Sequence, residues 1–367
     1  MPVYRLGFVM EQTLGHITHD KNLRHWVAQD SRVVPEWMPI EFRNGDKYDH
    51  MPLVRGNWSL RASLRARKAV EHALATQPLD GLFFHTQVTS LFSHKLMRFL
   101  PSIVSLDATP MNVDMVGAAY GHKPSRNPVL EAFKNALNRR AYRRARHLVT
   151  WCEWAKDSLV KDYRVPDKKV TVIPPGIDLG KWHFERYEDG AKRPVRLLFV
   201  GGDFVRKGGE VLMEAFRDHL EGCAELDIVT RDPVDVGELQ GVRVHHGLTS
   251  NHPDLLALYE QADIFVFPTL GDCLPIAVME AMAAELPVVA TTVGALDEQV
   301  EEGETGYLVR PEDSYGLAAC VTRMIEDPDL RRQLGYAGRK QAQLKFNGRG
   351  NYGKLIEVFK GVADGKL

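Results

Sequence analysis

The chain has 367 residues, 44% of them apolar and 26% charged, with a formal net charge of −1; this is too long for one ordinary core and suits two domains of about 150 to 200 residues each. The four cysteines, Cys152, Cys223, Cys273 and Cys320, show no C-x-x-C spacing, which argues against a disulfide framework and a zinc site and points to a reducing cytoplasm. No apolar run approaches the roughly 20 residues that span a bilayer, and Arg5 interrupts the apolar N-terminus, so a first strand is expected there and not a secretory signal.

In chain order, the first half reads as strands at YRLGFVM, GLFFHT, PSIVSLD, HLVTW and KVTVIPP, with helices at SLRASLRARKAVEHALATQ, TSLFSHKLMRFL and VLEAFKNALNRRAYRRAR. The stretch PPGIDLGKWHFERYEDGAKRP, rich in Gly, Pro and charge, reads as an interdomain linker. Beyond it come strand VRLLFVGG, helix KGGEVLMEAFRDHL, strands AELDIVT and VRVHHGL, helix LLALYEQA, strand DIFVFPT, helix PIAVMEAMAA and strand PVVAT. Two helices follow, SYGLAACVTRMIED and DLRRQLGYAGRKQAQLKF. Such alternation predicts an α/β protein of two Rossmann-like, doubly wound parallel-sheet domains. The expected bounds are 1–185 and 186–345, with a helix over 346–367 crossing back to the first domain. Domains of this kind are expected to face across a cleft that holds the ligand at the strand ends. Charge divides with them: residues 1–185 hold 27 Lys+Arg against 18 Asp+Glu, and residues 186–367 hold 20 against 30. Opposite signs suggest different partners.

Residues 263–294 are the most informative segment. Asp272 and Glu280 stand eight apart across a helix start, and Pro275 suits the first helical position, where its missing N–H costs nothing. The free N–H groups of Ile276 and Ala277 then favour an anion. Glu280 lies one turn below Ile276 on the same face, about 6 Å deeper at the helical rise, where a carboxylate accepts hydrogen bonds from hydroxyls. Phosphate above and diol below describe a nucleotide sugar. Upstream, Gly201 and Gly202 let the backbone approach a ligand closely, and Arg206 and Lys207 are suited to a diphosphate.

The combination FVGG-x4-KGG, PT-x2-DC-x6-EAMA-x2-PVV-x4-G, TVIPPGID and GETGYLVRPED resembles the family 4 retaining glycosyltransferases of GT-B fold, over nearly the whole second half and the end of the first. The resemblance implies transfer of a sugar from a nucleoside diphosphate sugar to an acceptor hydroxyl, with retention and without a metal or other cofactor. Lys207 matches the lysine of the family's basic pair, whereas Gly202 occupies the usual arginine position; Arg206 is the expected substitute. Asp272 and Glu280 match the paired glutamates, the first shortened by one methylene. Glu280 is then expected on the ribose and Asp272 on the donor sugar, with the backbone at Ile276 and Ala277 contacting sugar and phosphate. Aspartate before a helix also commonly caps it, and that alternative stays open for Asp272. Glu285 stands where a capping glycine is expected.

In the first domain, Gly15 and His16 match the family's loop near the reacting centre, and the turn lacks the G-x-G-x-x-G of a nicotinamide enzyme. His16 and His19 read as loop histidines with no third metal ligand nearby. Where many family members carry a histidine, SIVSLDATP offers Asp107, read either as a cleft residue or as a turn aspartate before Pro110. Arg139, Arg140, Arg143, Arg144 and Arg146, with Arg61, Arg65, Arg67 and Lys68, make two basic helices. A solvated face is the default for them, peripheral contact with anionic lipid the sharper reading; nucleic acid is not expected. Asp327-Pro328-Asp329 reads as a helix break and N-cap. The expected partners are a nucleotide-sugar donor and a glycan, lipid-linked or small-molecule acceptor. Two other readings remain: a sugar-nucleotide epimerase, and a degenerate subunit that binds donor without turnover.

Overall fold

Buried runs of β-branched and aromatic residues assemble into two six-stranded sheets, each wholly parallel. They are seen in a computed structural model that describes residues 2–13, 15–52, 54–121, 127–184 and 193–367. The first sheet comprises β1 (Tyr4–Gln12), β2 (Val33–Glu41), β3 (Gly81–His85), β4 (Ser102–Leu106), β5 (His147–Thr150) and β6 (Val170–Val172), in the order β2-β1-β3-β4-β5-β6. The second comprises β7 (Val195–Val200), β8 (Ala224–Val229), β9 (Val242–His245), β10 (Ile264–Phe267), β11 (Val288–Thr291) and β12 (Gly306–Val309), in the order β12-β11-β10-β7-β8-β9. In each sheet the order reverses once, between β1 and β3 and between β7 and β10. Open α/β sheets bind ligands outside the carboxyl ends of the strands at such a reversal.

The chain divides into two compact units: Met1–Asp114, Lys123–Gly176 and Gly348–Leu367 form the first, Met115–His122 and Ile177–Asn347 the second. The boundary expected at 185/186 lies outside the described residues, and the change of unit falls earlier, between Gly176 and Ile177. The part of the expected linker just beyond it is packed, not loose: Ile177 and Trp182 are buried, and Trp182 meets the Tyr259 ring edge-on at 4.8 Å. The final helix, Gly348–Ala363, places Tyr352, Leu355, Ile356 and Phe359 in a core cluster with Phe8 and Phe83 of the first sheet.

Several local expectations change. Strand β2 escapes a sequence reading because it carries Pro35 and Pro39; as the outermost strand it tolerates two missing N–H donors. Residues His16–Val27 form a helix where a loop was expected; its buried face includes His19 and Asp20 beside Leu23 and Val27, so its apolar period is broken. The helix expected over TSLFSHKLMRFL is instead two short pieces, Gln87–Ser90 and Leu96–Arg98. Asp327 caps the helix Pro328–Lys345, accepting from the Asp329 and Leu330 amides at 3.1 and 2.9 Å.

Candidate functional site

At the reversal of the second sheet, the loop after β7 and the loop after β10 are joined into one body. The Leu270 amide and the Thr269 hydroxyl both donate to the Arg206 carbonyl, at 2.9 and 3.2 Å. Gly208 has a φ of 80°, and a Cβ there would fall 1.8 Å from the Pro268 carbonyl oxygen. Only glycine permits both the left-handed backbone and that approach. The consequence is a fixed meeting of side chains: the Lys207 ammonium pairs with Asp272 Oδ2 and lies 5.1 Å over the Phe267 ring. Burial lowers the Lys207 pKa, and the Asp272 charge opposes it.

Asp272 Oδ1 accepts the amide of its neighbour Cys273 at 3.1 Å, not an amide of the following helix. That helix is Ile276–Ala283, and Pro275 occupies its N-cap with an extended ψ of 126° and no side-chain cap. Pro275 is therefore one position earlier than expected, and the capping alternative for Asp272 falls away. The first-turn N–H groups, from Ile276 and Ala277 onward, are orphans by helix geometry and suit an anion.

Glu280 is 5% exposed and not the solvated carboxylate of a surface helix. Tyr259 donates to its Oε2 at 3.3 Å, and burial pushes its pKa up to about 8 despite that bond. A buried carboxyl with so little compensation is poised to accept further hydroxyl donors.

Arg206 departs from its expected role. It is 5% exposed; its Nε bonds Asp203 at 3.0 Å, its Nη1 bonds the Gly271 carbonyl at 2.8 Å, and the Tyr120 ring covers it at 4.5 Å. The guanidinium ties the two loops together and is not free to meet a phosphate. Neither Gly201 nor Gly202 needs a left-handed backbone. A Cβ at Gly201 would fall 2.8 Å from Lys207 Cβ, and one at Gly202 would fall 2.8 Å from Arg231 Nε. Glu285 does take the left-handed conformation that usually calls for glycine, with φ 61°. The Leu286 and Glu285 amides close a Schellman turn on the Ala281 and Met282 carbonyls at 3.0 and 3.1 Å.

The first unit gathers a different set at its own reversal. His16 opens the helix that follows β1, and its Nδ1 meets Nε2 of His85, the last residue of β3, at 2.9 Å. His16 Nε2 stands 4.0 Å from Asp107 Oδ2, just past β4. His19 is buried between His85, Trp151 and Tyr352, bonded to the Tyr352 hydroxyl at 3.1 Å. Burial, then the neighbouring His16, lowers its pKa to about 3, and burial likewise holds His85 well below its ordinary value. Burial raises Asp107, with His16 opposing. Gly15 has a helical φ of −65° and, among the described residues, nothing within reach of an added Cβ. Among the described residues no group of three or more His, Cys, Asp or Glu is placed to hold a metal ion.

The structure thus brings together Lys207, Asp272, Ile276, Ala277 and Glu280 in one unit, and His16 and Asp107 in the other. Sequence reasoning passed over His85, Tyr259 and Arg231. His85 carried a legible signal, a polar residue ending the buried run GLFFH; the other two meet the site only through helix packing and strand register. The basic helices also separate. Arg61 and Arg65 are buried, Arg65 bonding Asp46 twice at 2.8 Å and the Glu41 and Phe42 carbonyls, so they are not a lipid-facing pair. Arg139, Arg140, Arg143 and Arg144 are exposed. No helix among the described residues is long and apolar enough to cross a membrane.

Comparison with known proteins identifies the family and the fold. Residues 194–327 match the family described as Glycosyl transferases group 1, and residues 30–181 match Glycosyltransferase Family 4. A glycogen synthase of Mycobacterium tuberculosis is 26% identical over 326 residues, 84% of this chain and 75% of that one. An MMP alpha-(1->4)-mannosyltransferase of Mycolicibacterium hassiacum is 27% identical over 61% of this chain and 56% of its own. Among solved structures, sucrose-phosphate synthase of Thermosynechococcus elongatus superposes with a TM-score of 0.79 at 17% identity, covering 98% of this chain and 99% of that one. HepE of Anabaena, solved in complex with UDP, gives 0.70 at 13% identity over 98% and 100% of the two chains. With both of its sheets matched in this way, the chain belongs to the family 4 glycosyltransferases of GT-B fold.

Proposed function

We propose that this glycosyltransferase moves a sugar from a nucleoside diphosphate sugar to a hydroxyl of a glycan, lipid-linked or small-molecule acceptor, with retention at the anomeric carbon and without a metal. One observation carries the reading: Lys207, Asp272 and an uncapped helix start meet where the second sheet reverses, one turn from the buried carboxyl of Glu280. As the bond from the anomeric carbon to the diphosphate oxygen breaks, Lys207 and the N–H groups of Ile276 and Ala277 take up the charge that grows on the leaving group. Fixed donors aimed at developing charge are usually the largest catalytic contribution. The new bond forms from the acceptor oxygen on the same face, and the acceptor proton passes to the departing phosphate oxygen.

Asp272 orients Lys207 and accepts from donor sugar hydroxyls. Glu280 accepts from the ribose diol, and Gly201 and Gly202, expected to admit the ligand to the backbone, instead give room to the Lys207 and Arg231 side chains that lie over them. Gly15, His16 and Asp107 are assigned to the transferred sugar and the acceptor. The nucleotide-bound structures of HepE support a nucleotide-sugar donor. The exposed arginines of the helix Pro128–Arg144, with exposed Val129 and Phe133 beside them, support peripheral contact with anionic lipid. Equal co-sedimentation with anionic and neutral vesicles would overturn that part.

The main reading is tested by a thermal-shift screen against UDP-, GDP- and ADP-sugars, since a ligand bound only by the native state raises its stability. The expected result is stabilisation by one donor class and release of its diphosphate only when an acceptor is added. No shift with any donor sinks the reading. Donor conversion without acceptor would make the protein an epimerase instead, and binding with no turnover a degenerate subunit.

A further inference from the structure

The geometry points to Arg231, beyond the end of β8, as the second cation on the donor diphosphate, filling the place that Gly202 leaves open. The inference rests on the donor-binding reading above. Strand register puts the residue there: Val200 pairs with Val229, and the Gly201 amide donates to the Val229 carbonyl at 2.9 Å, so Gly202 and Arg231 come level at the carboxyl edge of the sheet. Arg231 then folds onto the glycine. Its Nε donates to the Gly202 carbonyl at 3.1 Å. A Cβ on Gly202 would fall 2.8 Å from that Nε, 3.2 Å from Nη2 and 3.3 Å from Cζ.

The two adjacent glycines therefore lie beneath two cationic side chains, Gly201 beneath Lys207 and Gly202 beneath Arg231. Their charges are held differently. Lys207 is mostly enclosed, its side chain 15% exposed, and paired with Asp272, whereas Arg231 is exposed and makes no ion pair among the described residues. The acids beside it are committed elsewhere: Asp232 accepts the Phe204 amide at 2.7 Å, and Asp203 accepts from Arg206. One edge of the guanidinium is thus anchored to backbone while its terminal amino groups carry no hydrogen bond among the described residues. A planar fork held in this way suits a phosphate, which it grips bidentately.

The test compares wild type, Arg231→Ala and the double variant Gly202→Arg/Arg231→Ala. Binding of UDP, GDP and ADP, of the matching nucleosides and of inorganic pyrophosphate is measured by calorimetry at low and high salt. Arg231→Ala is expected to weaken diphosphate binding by about tenfold, as loss of one charge-assisted contact does, to flatten its salt dependence and to leave nucleoside affinity unchanged. The double variant, freed of the clash at Gly202, is expected to recover most of the loss, which a merely structural arginine would not permit. Wild-type diphosphate affinity in Arg231→Ala, or equal losses for nucleoside and diphosphate, overturns the role of Arg231 while leaving the donor reading intact. If wild type binds none of the diphosphates, the donor reading itself fails and takes this inference with it.

Discussion

The two strand-order reversals bury ionisable groups of opposite character. In the first unit a buried histidine cluster is kept neutral by burial; in the second a buried carboxyl retains its proton on the helix that follows an aspartate paired with lysine. One topology thus supports a neutral hydrogen-bonding surface in one place and a charged anion site in another. The difference comes from what stands at and just past the strand ends, His16 and His85 against Lys207 and Asp272, and not from the order of the strands.

The sharpest way to break the comparison is to remove the charge from one side of it. Lys207→Ala is expected to lower turnover by about a thousandfold, the upper range for losing one donor to a developing anion, read as kcat/KM with the donor found by screening. Loss of only a few-fold would show that the helix start suffices. Next in size is Gly208→Ala, which forces a Cβ into the Pro268 carbonyl at an unfavourable φ. It should destabilise by about 3 kcal/mol, in the range of strained backbone positions, as read by denaturant midpoint. An unchanged midpoint would mean that the joined loops yield.

pH separates the two reversals by sign. The folded-state pKa of His19 lies at about 3 against an ordinary 6.5, so its contribution is full above 6.5 and is lost as pH falls toward 3. Glu280 lies at about 8 against an ordinary 4.5, so its contribution is full below 4.5 and is lost as pH rises through 8. Relative to wild type, His19→Asn should flatten the acid side of the stability profile and Glu280→Gln the alkaline side. Parallel profiles for wild type and both variants would refute the opposition. Smaller again is a contrast between two arginines of the same site: Arg206→Ala should cost about 2 kcal/mol by leaving the buried Gly271 carbonyl without its guanidinium donor and Asp203 Oδ2 without its partner, while Arg231→Ala should stay within about 0.5 kcal/mol, as for an exposed side chain. The smallest expected effect is a gain: Glu285→Gly should stabilise by about 0.5 to 1 kcal/mol, relieving a left-handed backbone, and raise the melting temperature by about 2 °C.

Much of the second unit was legible because its chemistry is local. Lys207, Asp272 and Glu280 lie in short segments whose strands and helices declare themselves through apolar runs and Pro275. What was hidden depends on contacts distant in sequence. Arg206 and Arg231 are both arginines beside a strand end, and only the hydrogen bonds of the loop after β10 and the register of β8 on β7 show that one is buried and the other open. Glu280 was legible as a carboxylate for the ribose, but its cover, Tyr259 on a preceding helix, was not. In the first unit, β2 was concealed by its prolines, and the helix at His16 by a buried face built partly from histidine and aspartate.

Residues 348–367 belong to the first unit although the whole of Ile177–Asn347 precedes them. Phe359 meets the rings of Phe8 and Phe83 at 5.5 and 6.1 Å, and its ring leaves no room for a Cβ on Gly81. During translation, then, the first unit has its whole sheet early but receives its covering helix only after the second unit has been made. The second unit has all of its residues in hand while Phe8 and Phe83 still lack the aromatic wall that will cover them. A chain truncated before residue 348 would present that apolar face to chaperones although its second unit has all of its residues.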